Sequence, residues 1–585
     1  MELAAIYHRP ESEYAYLYKE GQVHIRIRTK KEDIEKILLH YGDPFIFIED
    51  FYEDVKEMVK VTSDALFDYW QVAVSVSFAR LQYLFELKDK EGQSILYGDK
   101  GFTDNSPENL ASEGNGFKLP YIHEIDGCQV PDWVSKTVWY QIFPERFANG
   151  NAELSPEGAL DWDSSIRPKS SDFFGGDLQG IIDHLDYLQD LGVTGLYLCP
   201  IFESSSNHKY NTTDYFEIDR HFGDKEIFRQ LVEQAHLRGM KVMLDAVFNH
   251  MGDQSAQWQD VLKHGKKSAY KDWFHIQKFP VTNDKLMNPK ELTYHTFAFA
   301  SYMPKLNTAN PEVKDYLLSV ATYWIEYFDI DAWRLDVANE VDHQFWRDFR
   351  KAVLAKKPDL YILGEVWHTS QPWLNGDEFH AVMNYPLSDS IKDYFLSRSK
   401  KTSQFIAEIN CQSMYYKQQI SEVMFNLLDS HDTERILTTA QGDIQLVKSV
   451  LAFLFLQRGT PCIYYGTELE LGGAMDPDCR RVMPWDRVSS SNDMLNFMKN
   501  LIQLRKDVAG IIQYGKFTLE EIKPNVLALE WQLDNQAIRA IFNQSKENYI
   551  LDRDSADLVS HCQTDDQQVV ILPKGFVVYC DESRR

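Results

Sequence analysis

The chain has 585 residues, too many for one hydrophobic core, so several domains are expected. Its 88 acidic and 61 basic residues give a formal net charge of −27, which argues against nucleic acid or anionic membrane partners, because both favour basic surfaces. Residues 1–14 lack a basic segment followed by an apolar one, and no stretch approaches the roughly 18 apolar residues of a membrane span. The seven cysteines are scattered, odd in number and without metal-ligand spacing, which is typical of reduced thiols in the cytoplasm.

The first 125 residues contain short strand-like runs separated by turn residues. Residues 23–29 (VHIRIRT) alternate apolar and polar side chains, the pattern of a strand with one buried face. The runs at 14–18, 68–76 and 81–87 are similar in length. We therefore predict an N-terminal β-sandwich over residues 1–125.

From about residue 131 strand patterns alternate with helix patterns. Strands are predicted at 137–144, 193–200, 241–249, 330–336, 360–367, 381–385, 423–431 and 461–466, and helices at 178–191, 225–238, 311–327, 344–356 and 444–457. About eight such units predict an α/β fold with a closed (β/α)8 TIM barrel over residues 126–510. A doubly wound open sheet is the alternative, but no G-x-G-x-x-G follows the first strand.

Two further segments complete the predicted architecture. Residues 251–306 are long for a loop after the third barrel strand and rich in Trp, Phe, Tyr, Lys and His, so we predict an inserted subdomain, domain B, over 250–306. Strand-like runs return at 526–531, 537–542 and 568–579, which predicts a C-terminal β-sandwich domain over 511–585.

One predicted barrel strand carries charge among apolar residues. Arg334 and Asp336 are two positions apart in IDAWRLDVANEVDH and therefore project from the same face of the strand. A buried ion pair that only supports the sheet is one interpretation of this pattern. Active sites of barrels, however, lie at the carboxyl ends of the strands. Polar and charged residues gather there on four strands: Asp245, Asn249, His250, Arg334, Asp336, Glu365, Asp429, His431 and Asp432.

Several carboxylates in an aromatic-rich cleft, without Cys/His clusters or a G-x-S-x-G motif, indicate glycoside hydrolysis. Arg334 would keep Asp336 ionised by charge pairing, so Asp336 is the better nucleophile. Glu365, beside Trp367 and among other carboxylates, is the better acid/base, because desolvation and like charge raise a carboxyl pKa. Asp432 would stabilise the positive sugar ring of the transition state.

These segments resemble the α-amylase family, glycoside hydrolase family 13. The motifs DAVFNH (245–250), WRLDVANE (333–340), GEVW (364–367) and LLDSHD (427–432) are similar to its four short regions in chain order, and MPKL (303–306) to a fifth. VANE and MPKLN resemble the neopullulanase, cyclomaltodextrinase and maltogenic amylase subgroup. The resemblance covers the whole chain, because that subgroup also carries an N-terminal β domain.

The resemblance implies site residues as well as a fold. It implies Asp336 as nucleophile, Glu365 as acid/base and Asp432 as transition-state stabiliser. It implies nine substrate-binding residues: His208, Tyr210, His250, Phe297, Arg334, Trp367, His431, Asp476 and Arg480. Phe297 could instead belong to the core of the insert, and Asp476 and Arg480 could form only a loop ion pair.

Two departures from the family pattern stand out. Relatives usually show HKYD where this chain has Asn211, so one polar contact is expected to differ. The resemblance implies no required cofactor, but some relatives bind calcium near the first barrel loop. The candidate oxygen ligands here are Asn149, Asn151, Gly175 and Asp177, whereas Leu154 and Ser155 stand where further ligands are expected. Calcium takes six to eight oxygens, so we predict a weak or absent site.

The resemblance implies a retaining hydrolase of α-1,4 and some α-1,6 glucosidic bonds, with transglycosylation. Its substrates would be cyclodextrins, maltooligosaccharides, pullulan and starch. In the subgroup the N-terminal domain of one subunit covers the active site of the other, which implies a homodimer; a passive stabilising domain is the alternative. A transferase of the same family and a non-catalytic saccharide-binding protein remain as other interpretations of the chain, although the latter typically loses one of the acids.

Overall fold

The computed structural model describes residues 1–46, 52, 54–76, 78–282, 291–553, 556–564 and 568–581, so residues 283–290 of the predicted insert lie outside the described residues. The N-terminal domain contains strands β1 (Ala15–Lys19), β2 (Gln22–Lys30), β3 (Ile34–Gly42), β4 (Asp54–Glu57), β5 (Val59–Ser63), β6 (Phe67–Ser75), β7 (Gln82–Asp89), β8 (Ser94–Gly98), β9 (Gly101–Asp104) and β10 (Phe117–Lys118), with the short helix α1 (Pro107–Leu110).

These ten strands form two antiparallel sheets. One has the order β1-β2-β6-β5, and the other has the order β4-β3-β7-β8-β9 with β10 beside β7. The alternating apolar residues of β2 enter a core shared by both sheets, in which Val23, Ile25 and Ile27 pack with Ile37 and Phe85. The predicted sandwich is thus present, and the alternation of residues 23–29 identified the face that enters its core. The prediction of a single buried face is wrong, because His24 and Arg26 on the opposite face are also buried.

Eight parallel strands form the central sheet. They are β11 (Trp139–Ile142), β12 (Gly195–Leu198), β15 (Lys241–Ala246), β16 (Ala332–Leu335), β17 (Tyr361–Gly364), β18 (Ala381–Val382), β19 (Phe425–Asn426) and β20 (Thr460–Tyr464). Neighbours follow the order β18-β17-β16-β15-β12-β11-β20-β19. A parallel bridge between Met383 and Phe425 joins the two ends, so the sheet closes into the predicted barrel and the open-sheet alternative is excluded.

The remaining helices lie between these strands or after them. They are α2 (Pro144–Phe147), α3 (Leu178–Asp183), α4 (Leu185–Leu191), α5 (Lys225–Leu237), α6 (Ala256–His264), α7 (Pro311–Phe328), α8 (His343–Lys356), α9 (Tyr385–Phe395), α10 (Thr402–Ser413), α11 (Gln418–Ser421), α12 (Ile436–Thr439), α13 (Ile444–Phe455), α14 (Asp493–Asp507) and α15 (Ala509–Tyr514). Among the described residues no helix is both long and apolar enough to cross a membrane.

The helix predicted over residues 178–191 is divided into α3 and α4 at His184. The ring Nδ1 of His184 pairs with the carbonyl of Gly180 at 2.8 Å, the oxygen that a continuous helix would use for the His184 amide. That amide instead bonds to Ile181 O, one residue short of the α-helical register. The His184 ring also stacks on Trp485 at 3.8 Å, so a tertiary contact accompanies the break.

Two excursions from the barrel border its carboxyl end. The hairpin β13 (Phe202–Ser204) and β14 (Thr212–Ile218) follows β12, and the strand patterns above did not include it. The insert after β15 returns to its starting point, because an isolated bridge pairs His250 with Lys305.

The C-terminal domain is a six-stranded antiparallel sheet of β21 (Lys516–Lys523), β22 (Val526–Leu533), β23 (Gln536–Asn543), β24 (Tyr549–Leu551), β25 (Leu558–Thr564) and β26 (Val569–Asp581). The long β26 pairs with β23, β24 and β25, and its Val569, Ile571 and Val577 form a core with Val526 and Ile541.

The N-terminal domain is hydrogen-bonded to the outside of the barrel. Tyr18 donates its hydroxyl to Glu422 at 2.7 Å, and Gln419 donates to the carbonyl of Leu17 at 2.9 Å. These contacts place the first sheet of the sandwich against the segment that holds α10 and α11.

Candidate active site

A cleft of about 480 Å³ lies at the carboxyl end of the barrel strands. Its walls come from the loops after β15, β16, β17, β19 and β20, from the loop between β13 and β14, and from the insert. The lining residues are His208, Tyr210, His250, Phe297, Ala300, Tyr302, Met303, Asp336, Val337, Asn339, Glu340, Glu365, Trp367, Asp432, Asp476 and Arg480.

Arg334 is the centre of a buried charge cluster beneath this cleft. Its Nη1 lies 2.7 Å from Asp336 Oδ1 and 3.0 Å from both carboxylate oxygens of Asp245, on the neighbouring strand β15. Its Nη2 is 3.0 Å from Glu365 Oε2 in an ion pair without the alignment of a hydrogen bond. One guanidinium therefore contacts three carboxyl groups, and the same-face prediction for Arg334 and Asp336 is confirmed.

Burial dominates the ionisation of two of these acids. It raises the pKa of Asp245 to about 6, against the opposing charge of Arg334. Burial also raises the pKa of Asp336 well above its ordinary value; Arg334 opposes this, while Glu365 and Asp245 add to it by like charge. Pairing with Arg334 is therefore not the only influence on the ionisation of Asp336, because burial and the two neighbouring acids oppose the charge of the arginine.

Glu365 follows β17 and is held at both oxygens. Its Oε1 accepts a hydrogen bond from the indole Nε1 of Trp367 at 3.0 Å, and its Oε2 accepts one from the backbone amide of Val337 at 2.9 Å. Val337 has φ +47°, a left-handed conformation that is strained for a β-branched residue. The Trp367 ring is about half exposed and lies flat on Tyr385 at 3.8 Å, so it forms a rigid aromatic face at the cleft.

Asp432 follows β19 and lies between a cation and a histidine. Arg480 Nη2 is 3.0 Å from Asp432 Oδ1, and its Nη1 is 2.8 Å from Asp476. His431 Nε2 is 3.0 Å from Asp432 Oδ2, while Gln141 donates its side-chain amide to His431 Nδ1 at 2.7 Å. Burial lowers the pKa of His431 well below its ordinary value, so the ring is neutral, with its proton on Nε2.

The hairpin loop brings His208 and Tyr210 to the cleft. The Tyr210 hydroxyl donates to Asp245 Oδ2 at 2.9 Å, and its ring stacks parallel on His431 at 5.2 Å. Asn211 is buried, and its side chain accepts from Ser204 Oγ at 2.8 Å and donates to Ser205 Oγ at 3.0 Å. The Asn211 side chain, which stands where relatives have Asp, therefore forms its hydrogen bonds within this loop and does not line the cleft.

His250 connects β15 to the insert. Its Nε2 pairs with the carbonyl of Tyr210 at 3.0 Å, and its ring stacks on Phe297 at 5.2 Å. Burial lowers the pKa of His250 to about 3, so the ring is neutral at physiological pH. Phe297 lines the cleft rather than belonging only to the core of the insert.

The structure brings the twelve predicted catalytic and substrate-binding residues together, at two depths. Ten of them line the cleft, whereas Arg334 and His431 are fully buried behind it. Motif reading did not name Gln141, Tyr197 or Val337, which hold His431, Asp245 and Glu365. It also left out the lining residue Tyr302, which carries no sequence signal beyond its place next to MPKL.

The candidate calcium ligands do not fit a calcium ion in this arrangement. Asp177 caps α3, and its carboxylate accepts backbone N–H groups of Gly180 at 2.6 Å, Asn151 at 2.7 Å and Gly150 at 3.1 Å. The Asn149 amide donates to Ser155 Oγ at 2.9 Å. Backbone N–H donors thus contact both carboxylate oxygens of Asp177, the one charged residue among the four candidate ligands.

Residues 141–510 match the catalytic domain of α-amylase, and residues 1–123 match the α-amylase N-terminal immunoglobulin-like domain.

Relatives are similar over nearly the whole chain. An intracellular maltogenic amylase of Bacillus subtilis (strain 168) is 52% identical over 547 residues, 93% of this chain and 91% of its own. A cyclomaltodextrinase of Geobacillus thermopakistaniensis (strain MAS1) is 47% identical over the full length of both chains. A solved structure of a cyclomaltodextrinase, 43% identical, superposes with a TM-score of 0.91 and covers 99% of this chain and 100% of that one.

Proposed function

We propose that this chain, which belongs to the α-amylase family and is a glycoside hydrolase, cleaves α-1,4-glucosidic bonds with retention of configuration through a covalent intermediate. The observation that carries the proposal is the placement of Asp336, Glu365 and Asp432 on one cleft, at the carboxyl ends of three barrel strands. This arrangement can supply a nucleophile, a proton donor and a stabilising anion to one sugar ring.

In the proposed mechanism Asp336 attacks the anomeric carbon while Glu365 gives its proton to the departing glycosidic oxygen. Glu365 then takes a proton from water, which attacks the same carbon and releases Asp336. Replacement of that water by a sugar hydroxyl gives transglycosylation. Asp432, held by Arg480, faces the positive charge that develops on the ring.

The aromatic and polar residues of the cleft suit a glucan. The exposed face of Trp367 and the ring of Phe297 offer apolar platforms for sugar rings. Arg334 and His431 were expected to contact substrate, but both are buried behind the acids. We propose instead that they position Asp336, Glu365 and Asp432.

We propose cyclodextrins and short maltooligosaccharides as preferred substrates, with pullulan and starch cleaved more slowly and some cleavage of α-1,6 bonds. The names of the similar proteins, maltogenic amylase and cyclomaltodextrinase, support this choice. We further propose a homodimer through the N-terminal domain, an intracellular location and no requirement for a metal. Analytical sedimentation of the purified protein tests the proposed dimer. A monomer at the concentration of the activity assay would refute it.

Initial rates on β-cyclodextrin, pullulan and soluble starch, with products separated by chain length, test the substrate proposal. We expect β-cyclodextrin to be cleaved fastest, with maltose as its main product and panose from pullulan. Starch cleaved fastest, with long products, would contradict the proposed preference for cyclodextrins and short maltooligosaccharides.

The replacement Asp336→Asn tests the mechanism. It should nearly abolish turnover while leaving saccharide binding intact, because the amide keeps the shape of the carboxyl but is a poor nucleophile. Proton NMR of the first product should show the α-anomer. Near-normal turnover of the variant, or β-anomer as first product, would refute the roles given to Asp336 and Glu365.

A further inference from the structure

A second cavity, about 380 Å³ in volume, lies where the N-terminal domain, the barrel and the C-terminal domain meet. Its walls come from β2, β5 and β6, from α9 to α11, and from β21 and β22. It shares no lining residue with the catalytic cleft. We call it the junction cavity; its volume falls within the range of small-molecule sites.

The charge of the junction cavity is opposite to that of the chain. Arg26, Arg458 and Lys516 line it, and no Asp or Glu does among the described residues, although acids outnumber bases by 88 to 61 in the sequence. Buried cations in proteins are ordinarily paired with carboxylates, because removing a charge from water is costly. Within the described parts of the chain neither arginine forms such a pair.

Arg26 is 2% exposed and is satisfied only by neutral groups. Its Nε and Nη2 both donate to the side-chain oxygen of Gln71, at 3.1 and 3.0 Å, and its Nη1 donates to the carbonyl of Met414 at 2.9 Å. A guanidinium has five N–H donors. Three of them are therefore directed at just two neutral oxygens, which leaves the positive charge of Arg26 without an anion.

Arg458 enters the cavity from the barrel. Its Nη2 donates to the carbonyl of Gly515 at 2.8 Å, and its guanidinium lies 4.9 Å from the Trp531 ring. Burial lowers the pKa of Arg458, and the charge of Glu422, which does not line the cavity, opposes this shift most.

The two guanidiniums act on a common neighbour. Burial raises the pKa of Tyr16, and the charges of Arg26 and Arg458 both oppose that rise. A pair of cations around one cavity repel each other unless an anion lies between them.

The rest of the wall is mainly apolar. It includes Val61, Leu387, Ile409, Met424 and Phe517. We propose that the junction cavity binds a small organic anion, whose phosphate or carboxylate head lies on Arg26 and Arg458 and whose apolar body packs on this wall. The planar, forked donors of arginine match such oxyanions, and Lys516 at the rim adds a third positive charge.

Thermal unfolding at constant ionic strength tests this with three probes: phenyl phosphate, inorganic phosphate and phenol. We expect phenyl phosphate to raise the melting temperature saturably, with an apparent Kd at least tenfold lower than that of the head or the body alone. If inorganic phosphate binds as tightly as phenyl phosphate, the apolar wall does not contribute and that part of the proposal is refuted. If the melting temperature rises without saturation, the cavity is not a specific binding site and the whole proposal is refuted.

Charge reversal of an exposed lysine at the rim of the junction cavity tests whether phenyl phosphate binds there, without changing the protein core. Lys516→Glu should weaken phenyl phosphate at least fivefold, whereas Lys523→Glu, at the other end of the same exposed strand, should leave it within twofold. Arg458→Met should weaken it further. Equal effects of the two lysine variants would identify non-specific screening and refute the proposal, even if Arg458→Met fails to fold.

A competition experiment separates this site from the catalytic cleft. In the Asp336→Asn background β-cyclodextrin is expected to occupy the cleft without turnover, and phenyl phosphate should then bind with unchanged affinity, since the two sites share no lining residue. Loss of phenyl phosphate binding in the presence of β-cyclodextrin would place it in the cleft and overturn the proposal.

Discussion

Removal of the Arg480 guanidinium tests how Asp432 is held. In Arg480→Met, Asp432 loses the contact at 3.0 Å, and the carbonyl of His431 loses its hydrogen bond at 2.8 Å from Nε. A hydrogen bond to a charged group contributes about 1.5–3 kcal/mol. The Asp432 side chain is 30% exposed, which reduces the effect to roughly 1–2 kcal/mol through solvent screening. The expected loss in kcat/KM on β-cyclodextrin is about 5- to 30-fold.

The neighbouring arginine supplies a matched control. Arg481 forms an analogous pair with Asp478, at 2.9 and 3.0 Å, and does not line the cleft. Arg481→Met removes the same charge from the same loop and should change kcat/KM less than twofold. Arg480→Lys should recover part of the activity, because a cation returns without the forked geometry. If Arg480→Met and Arg481→Met lose activity equally, loop integrity rather than the placement of Asp432 explains the effect, and the argument is refuted.

Contacts of Tyr210, Asp177 and Asp331 give three more predictions. Tyr210→Phe should lower kcat/KM about tenfold in steady-state assays, because it removes the hydroxyl that donates to Asp245 but keeps the ring; an unchanged value would show that Asp245 needs no such support. Overnight dialysis against EDTA should leave activity and melting temperature unchanged, because backbone amides occupy the Asp177 oxygens; a drop that calcium restores would contradict this. Burial would raise the pKa of Asp331, but the hydrogen bond from His236 and the charges of nearby lysines outweigh burial, so this pKa is lowered in the folded protein. Asp331→Asn should therefore reduce the melting temperature at pH 7, and progressively less below about pH 4, where Asp331 of the unfolded chain gains its proton. A reduction that does not depend on pH would rule out the ionic explanation.

The barrel and its acids could be predicted because the sequence pattern of each strand also indicates where its last residues lie in the folded protein. A parallel strand covered on both faces, such as Tyr361–Gly364, has a run of apolar residues, and the first polar residue after it falls on the active rim. Glu365 and Asp336 were found in this way. The hairpin Phe202–Ser204 with Thr212–Ile218 was not, because its first strand has three residues and its second is largely polar.

Side-chain depth and backbone strain could not be predicted from the motifs. Val337 is β-branched, so its local preference is extended, yet tertiary contacts hold it left-handed with its amide on Glu365. Spacing placed Arg334 beside Asp336, but its contact with Glu365 requires the register between β16 and β17. The pKa of Asp336 is raised first by burial and then by the like charges of Glu365 and Asp245, and an argument from the Arg334 pair alone omits both causes.

The charge balance of this cluster agrees with the chemistry proposed for it. With Asp245, Asp336 and Glu365 all ionised, the Arg334 cluster would carry a net charge of −2 in a buried place, and burial raises the pKa values of Asp245 and Asp336, which disfavours full ionisation of the cluster. The proposed reaction needs one proton, delivered to the glycosidic oxygen by Glu365, and leaves Asp336 ionised as positive charge grows on the sugar. Because that positive charge relieves the repulsion among the acids, the cluster interacts more favourably with the transition state than with the neutral substrate, and this difference is what accelerates a reaction.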